Sequence, residues 1–148
     1  MIIRAGEIED LPRVLQLIQE LATFEQAPEE VNNTLEMLTE DGFGNSPCYG
    51  LYVAEKGNHV VGISLFYYRY STWKGKKLYL EDLIVTESER GNGIGGLLFD
   101  KTVEHAKEHG CRGMNWQVLG WNERAIQFYT EKYKADLDDE WINCSIEF

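Results

Sequence analysis

The sequence predicts an α+β domain with a mixed, mostly antiparallel central sheet flanked by helices. Three observations predict it. Residues 11–22 carry an apolar stripe at helical spacing, Tyr49 to Val85 reads as three consecutive β-rich runs, and helical and extended patterns alternate from there on. With 148 residues the chain suits one domain, 1–148, around one core.

The elements follow in order. "IIRAG" is a short apolar first strand. In "EDLPRVLQLIQELATFE", Leu11, Val14, Leu15, Ile18, Leu21 and Ala22 share one helical face. Asp10 is the expected N-cap, and Pro12 falls in the first turn, where its missing N–H does little harm. "TLEMLTEDGFG" reads as a shorter second helix ended by Gly42 and Gly44. "YGLYVAE" and "HVVGISLFYYRYS" flank a Gly-Asn turn, a hairpin signal, and "KLYLEDLIV" after "TWKGK" completes a three-strand meander. "LLFDKTVEHAKEHG" is a third helix closed by Gly110, "CRGMNWQVL" a strand, and "WNERAIQFYTEKY" a helix with Asn122 as N-cap. In "WINCSIEF", Ile142, Cys144, Ile146 and Phe148 alternate with polar residues, which predicts a last strand with one buried face.

Composition narrows the function classes. The chain is 43% hydrophobic and 26% charged, as in ordinary globular proteins. Its net charge of −11 argues against nucleic acid, which requires a basic surface. That acidity would attract a cationic small molecule and equally serves solubility. No apolar run approaches the ~20 residues of a membrane helix. The start "MIIRAGEIED" has no signal-like apolar region, so a cytoplasmic protein is expected. Cys48, Cys111 and Cys144 are scattered without a C-x-x-C, which argues against a disulfide framework or zinc knuckle.

The stretch "ESERGNGIGG" concentrates glycine between a strand and a helix. A helix N-terminus offers unpaired N–H groups and positive dipole, and glycines let a phosphate approach them. The Walker A pattern is absent. Gly91-x-Gly93-x-x-Gly96 matches the bare dinucleotide fingerprint, but the next strand ends in "QVLG", without the acidic residue, and a meander precedes the turn. The third option is R-x-x-G-x-G, Arg90 to Gly95.

That motif resembles the acetyl-coenzyme-A loop of the GNAT superfamily of N-acetyltransferases. The segments "IRAGEIEDLPRVLQLIQELATFE", "EDGFG", "YYRYSTWKGKKLYLEDLIV", "RGNGIG" and "WNERAIQFY" together resemble its diamine (spermidine/spermine) and thialysine acetyltransferase branch. The resemblance covers nearly the whole chain. It implies a GNAT-like three-layer fold, acetyl-CoA as co-substrate, no metal, and acetyl transfer to a primary amine of a small cationic molecule.

Acyl transfer to an amine sets chemical demands. The amine, of free pKa about 10, must lose a proton, and the leaving thiolate, of pKa about 8.5, is best protonated. The resemblance implies Tyr129 as the acid, although Tyr129 also shares an apolar helical stripe with Ala125 and Ile126. It gives Glu81 the task of holding the amine and assisting its deprotonation. Glu81 and Asp82 are adjacent carboxylates in an apolar run, and simple alternation sends them to opposite faces. For the coenzyme it implies backbone groups of Leu83, Ile84 and Val85 along the pantetheine arm. The loop Arg90, Gly91, Asn92, Gly93, Ile94, Gly95 and Gly96 would hold the pyrophosphate, with Asn122, Arg124 and Ala125 as further contacts. Lys132 would meet a phosphate or remain in solvent. Phe24, Glu25 and Trp73, with Glu81 and Asp82, form the implied substrate side, where an aromatic and carboxylate set suits a cation.

Two departures from the family pattern stand out. Ser71-Thr72 precedes Trp73 where polyamine-specific members carry an acidic residue, which favours a smaller, lysine-like or diamine substrate. "KYKAD" replaces the Gly-Ala that commonly follows the last helix, so a C-cap glycine is missing. The resemblance also implies a homodimer. Two other readings remain beside the enzyme. "HAKEH" matches the H-x-x-E-H metallopeptidase pattern, though it also suits the end of an exposed helix. The same fold also occurs in acetyl-CoA-binding sensors that transfer nothing.

Overall fold

A computed structural model describes residues 1–148. It divides into two compact units, Met1–Trp116 and Gln117–Phe148.

The first unit is built on a five-stranded sheet, β1 (Ile2–Ala5), β2 (Gly50–Lys56), β3 (His59–Ser71), β4 (Gly75–Val85) and β5 (Met114–Asn115), paired in that order. All pairs are antiparallel except β4 with β5, which is parallel. The expected mixed α+β architecture is therefore present. The β2–β3 turn places Gly57 at φ 56° and Asn58 at φ 64°, the left-handed pair that matches strand twist in a tight hairpin.

Helix α1 (Leu11–Phe24) buries Leu11, Val14 and Leu17 on one sheet face, against Val53, Ile63, Leu65 and Ile84. Asp10 does not cap it. Its carboxylate accepts two bonds from the Arg4 guanidinium at 2.8 and 2.9 Å and one from the Glu7 N–H, so the ion pair takes the oxygens that a cap needs. Helix α2 (Leu35–Phe43) is capped by Thr34, which accepts from the Met37 N–H. Gly42 lies inside this helix and Gly44 ends it. Helix α3 (Ile94–Glu108) packs Ile94 and Leu98 on the opposite face, against Ala54, Val61, Leu83 and Val85.

A fully buried polar contact crosses that second layer. Thr102 donates its hydroxyl proton to the Leu98 carbonyl at 2.8 Å, so Ser64 Oγ, 2.6 Å away and fully buried, must donate to Thr102.

The second unit contains α4 (Glu123–Gln127), whose backbone then widens into one π-helical segment, Phe128–Lys132. Asn122 caps α4 as expected, accepting from the Ala125 N–H at 3.2 Å. The helix is shorter than the apolar pattern suggests. After it Lys134 takes φ 56°, and the Ala135 N–H bonds the Tyr129 carbonyl at 3.1 Å. A lysine thus adopts the left-handed turn for which glycine is the usual residue.

Two strand expectations fail. The strand read in "CRGMNWQVL" reduces to Met114–Asn115. The terminal strand is absent: residues 134–148 form no ladder, and Ile142, Cys144, Ile146 and Phe148 are exposed instead of facing a core. Alternation specifies which side chains would share a face but supplies no hydrogen-bonding neighbour, and a strand forms only with one.

Thr102→Val strands the buried Ser64 hydroxyl and should lower unfolding free energy by ~1–3 kcal/mol in urea titrations. Ser64→Ala should cost less, because Thr102 keeps its bond to Leu98. Lys134→Gly relieves the left-handed lysine and should stabilise by up to ~1 kcal/mol in the same titrations; a loss would show that the lysine side chain holds the turn.

Candidate active site

The glycine segment is held from behind. Glu20 of α1 accepts from Thr86 Oγ1 at 3.0 Å and from the Glu87 N–H at 2.8 Å. Arg90 Nε donates to the Val85 carbonyl at 2.9 Å, and its guanidinium lies 5.1 Å above the Phe24 ring. Lys56 pairs with Glu89 at 2.7 Å. Arg90 is thus engaged in shaping the loop from within the chain. Beyond it, Gly91 and Gly93 take φ 85° and 81°, conformations that strain any L side chain. Gly93 is the N-cap of α3, so the turn delivers the first-turn amides at Ile94 and Gly95 toward the exposed surface of Gly91, Asn92 and Gly93. Amides at a helix N-terminus, with its dipole, suit an anion.

The strand leading into this loop has an unmatched edge. β5 pairs with β4 only at Leu78 and Tyr79. From Leu80 to Val85 the strand keeps its β3 neighbour but has no ladder on the other side. An elongated ligand carrying amides could be hydrogen-bonded there as a further strand.

On the other side of β4 lies a cavity of about 300 Å³. Its position depends on a break in register. Leu65 pairs with Asp82 and Phe66 with Leu80, so Glu81 is an extra residue on β4, a β-bulge. Alternation predicts opposite faces for Glu81 and Asp82. The bulge overturns this by one position, and both carboxylates line the same cavity with Ile18, Leu38, Leu65, Tyr67 and Asp41. Tyr67 donates to Glu81 Oε1 at 3.3 Å, and burial and the Glu81 charge push its phenol up to about 12. Burial, then the charges of Glu81 and Glu25, push the Asp82 carboxyl up to about 6. The cavity is therefore a partly dry, negatively charged recess with aromatic and aliphatic walls.

None of the other expected residues lines this cavity, although the Glu25 charge acts on Asp82. Phe24 and Glu25 close the C-terminal end of α1; Phe24 underlies Arg90, and burial raises the Glu25 carboxyl. Trp73 is 85% exposed at the β3–β4 turn. From Gly75 to Glu81 the strand runs roughly 20 Å, at ~3.3 Å per residue, so one chain does not bring Trp73 to the cavity. In the second unit Asn122 is occupied in capping Ala125, Tyr129 is buried within the π-helical segment, and Lys132 lies over the rings of Phe128 and Tyr133. His105 of "HAKEH" sits between two phenols, Tyr52 at Nδ1 (2.8 Å) and Tyr68 at Nε2 (2.7 Å), and its ring stacks on His109. Both ring nitrogens are thereby engaged by protein.

No sequence signal marks Glu20, Tyr67 or Asp41. Glu20 and Asp41 look like ordinary helix-surface carboxylates there. Tyr67 is one aromatic of "FYYRY", whose facing depends on register.

Residues 11–133 match the Acetyltransferase (GNAT) family. The chain is 40% identical over 147 residues to a thialysine N-epsilon-acetyltransferase of Bos taurus, covering 94% of this chain and 86% of that protein. It is 36% identical over 155 residues to the Mus musculus protein of that name, covering 98% and 91%. It is also 36% identical over 145 residues to spermidine/spermine N(1)-acetyltransferase-like protein 1 of Homo sapiens, covering 93% of this chain and 21% of that protein. Among solved structures, an aminoglycoside acetyltransferase from an uncultured soil metagenomic sample, in complex with sisomicin, superposes with a TM-score of 0.80 at 21% identity, covering 99% and 96% of the two chains. That likeness is one of fold.

The raised Asp82 pKa predicts a pH-dependent stability. A carboxyl whose folded pKa lies above its ordinary 3.8 favours folding while protonated, and this contribution is lost as pH rises through about 6. Asp82→Asn should therefore be more stable than the parent chain at pH 7.5, by roughly 1–3 kcal/mol in urea titrations. The difference should close toward pH 4. Equal stability at pH 7.5 would show that the Asp82 charge is not desolvated.

Proposed function

The chain belongs to the GNAT acetyltransferase family, and we propose from that premise that it moves an acetyl group from acetyl-CoA to a primary amine of a small cationic substrate. The observation that carries this reading is the bulge in β4, which faces two carboxylates into one cavity beside an unmatched strand edge that leads to the glycine loop. The substrate class comprises lysine-like amines, as in the names of the thialysine relatives, diamines and polyamines.

Acetyl-CoA supplies the activated acyl group as a thioester. In this reading the amides of Leu83, Ile84 and Val85 receive the pantetheine arm, and Gly91 to Gly96 receive the diphosphate. Arg90 supports that loop through the Val85 carbonyl, and the resemblance adds Asn122, Arg124 and Ala125 as further coenzyme contacts. The substrate ammonium enters the carboxylate cavity, where Glu81 and Asp82 compensate its charge. Once deprotonated, its nitrogen attacks the thioester carbonyl, and the C–S bond breaks as the amide forms. Tyr129 gives its phenolic proton to the departing thiolate. Its support is its match to the family's tyrosine position and its chemistry: a phenol of pKa about 10 is protonated at neutral pH yet can still yield its proton. In this reading the enzyme works in the cytoplasm and as a homodimer, the latter being the state that the family resemblance implies.

Thiol release from acetyl-CoA over a panel of lysine analogues, diamines, polyamines and amino-acid amines tests the reading. If acetyl-CoA binds and no amine is turned over, the protein is a sensor of this fold. Tyr129→Phe should cut kcat by ~100-fold or more while acetyl-CoA affinity, read by calorimetry, changes little. Equal losses in both would make Tyr129 a structural residue.

A further inference from the structure

Resting on the acetyltransferase reading, we propose that Asp82 takes the proton from the substrate ammonium, while Glu81 anchors the ammonium by its charge. The resemblance assigns the proton to Glu81; the geometry points to its neighbour.

The two carboxylates share one cavity but differ in surroundings. Glu81 is exposed and accepts a hydrogen bond from Tyr67. Asp82 has no such donor: what acts on it is burial and the like charges of Glu81 and Glu25. Each of these makes a carboxylate hold a proton more firmly.

The groups around Asp82 confirm the sign. Glu25 follows α1, Asp41 lies on α2, Cys48 and Tyr49 precede β2, and Tyr67 faces from β3. No lysine, arginine or histidine lines the cavity, so nothing there offsets the carboxylate charge until a cationic substrate arrives. The bulge is the geometric requirement. In regular register Asp82 would face the α3 layer; with Glu81 extruded it pairs with Leu65 and faces the cavity. A carboxyl held at about 6 lies near neutral pH, where a general base is most effective.

The step balances as follows. An N–H bond of the ammonium breaks and its proton goes to an Asp82 oxygen. The nitrogen lone pair forms the C–N bond to the acetyl carbon as the C–S bond breaks. Tyr129 protonates the thiolate, and the second nitrogen proton restores the phenol through solvent. Asp82 then releases its proton to water, so each turnover liberates one H⁺.

The test is the pH dependence of kcat/KM, read by thiol release with acetyl-CoA and 1,3-diaminopropane, spermidine or lysine. The parent chain should lose activity below an apparent pKa of about 6. Asp82→Asn should lower kcat by ~100-fold or more and abolish that acid limb. Glu81→Gln should keep the limb and chiefly raise KM. Asp82→Glu retains a carboxylate and should retain a limb, so it decides the matter if Asp82→Asn proves too inactive or unfolds; acetyl-CoA binding and thermal melting report folding. A limb that survives in Asp82→Asn, disappears in Glu81→Gln, or is missing from Asp82→Glu overturns the assignment. No turnover of any amine by a parent chain that binds acetyl-CoA is a different result: it removes the acetyltransferase reading, and this assignment with it.

Discussion

The structure depends on one irregular hydrogen-bond ladder. Where β3 and β4 lose register, Glu81 has no opposite number, and every residue after it on β4 faces the side that strict alternation would deny it. Ile84 thereby reaches the α1 core, Leu83 and Val85 reach the α3 core, and Asp82 joins Glu81 in one recess. A β-bulge disrupts the local ladder and bends the strand, so it persists where the flanking packing over-determines it. Here that packing comes from Ile63 and Ile84 on one face and from Ile94 and Leu98 on the other.

The same strand connects the acidic recess to the glycine loop, and the intervening chain is tied down. Glu20 bonds the chain immediately after β4, Arg90 bonds its last carbonyl, and the Phe24 ring supports the guanidinium. A binding turn built from glycine has large conformational freedom to lose, and prior restraint lowers the entropy lost on binding. The side chains that impose it lie behind the loop, leaving the amide surface in front of them accessible. A charged residue can thus shape the glycine turn while spending its own donor on the protein.

The recess also carries a local electrostatic cost. A carboxylate held away from water, with like charges on either side and no cation facing it, is unfavourable in the resting protein. An apolar residue at position 82 would suit the surrounding Ile18, Leu38 and Leu65 better. Local violations of this kind are expected at sites where a charged ligand completes the balance. The histidine pair on α3 shows the opposite case: both nitrogens of His105 are engaged by phenols, so a pattern that resembles a metal motif serves to tie α3 to β2 and β3.

By itself the sequence determined the elements whose signals are local. The α1 stripe, the Gly57-Asn58 hairpin, the Asn122 cap and the glycine turn before α3 all rest on a few consecutive residues; each is present, although α1 buries Leu17, outside the stripe, more deeply than Leu15, Ile18 or Leu21. Lys134 shows the same rule from the other side: the missing glycine did not remove the turn, because the bond from Ala135 to Tyr129 sets its shape. Tertiary structure decided whatever requires a partner. Asp10 spends its carboxylate on Arg4, the alternating terminal run finds no ladder, and Glu81 and Asp82 share a cavity through a register shift that neither residue type encodes. Register is a property of two strands at once, so it stays invisible in either alone; here it determines which way the two carboxylates face.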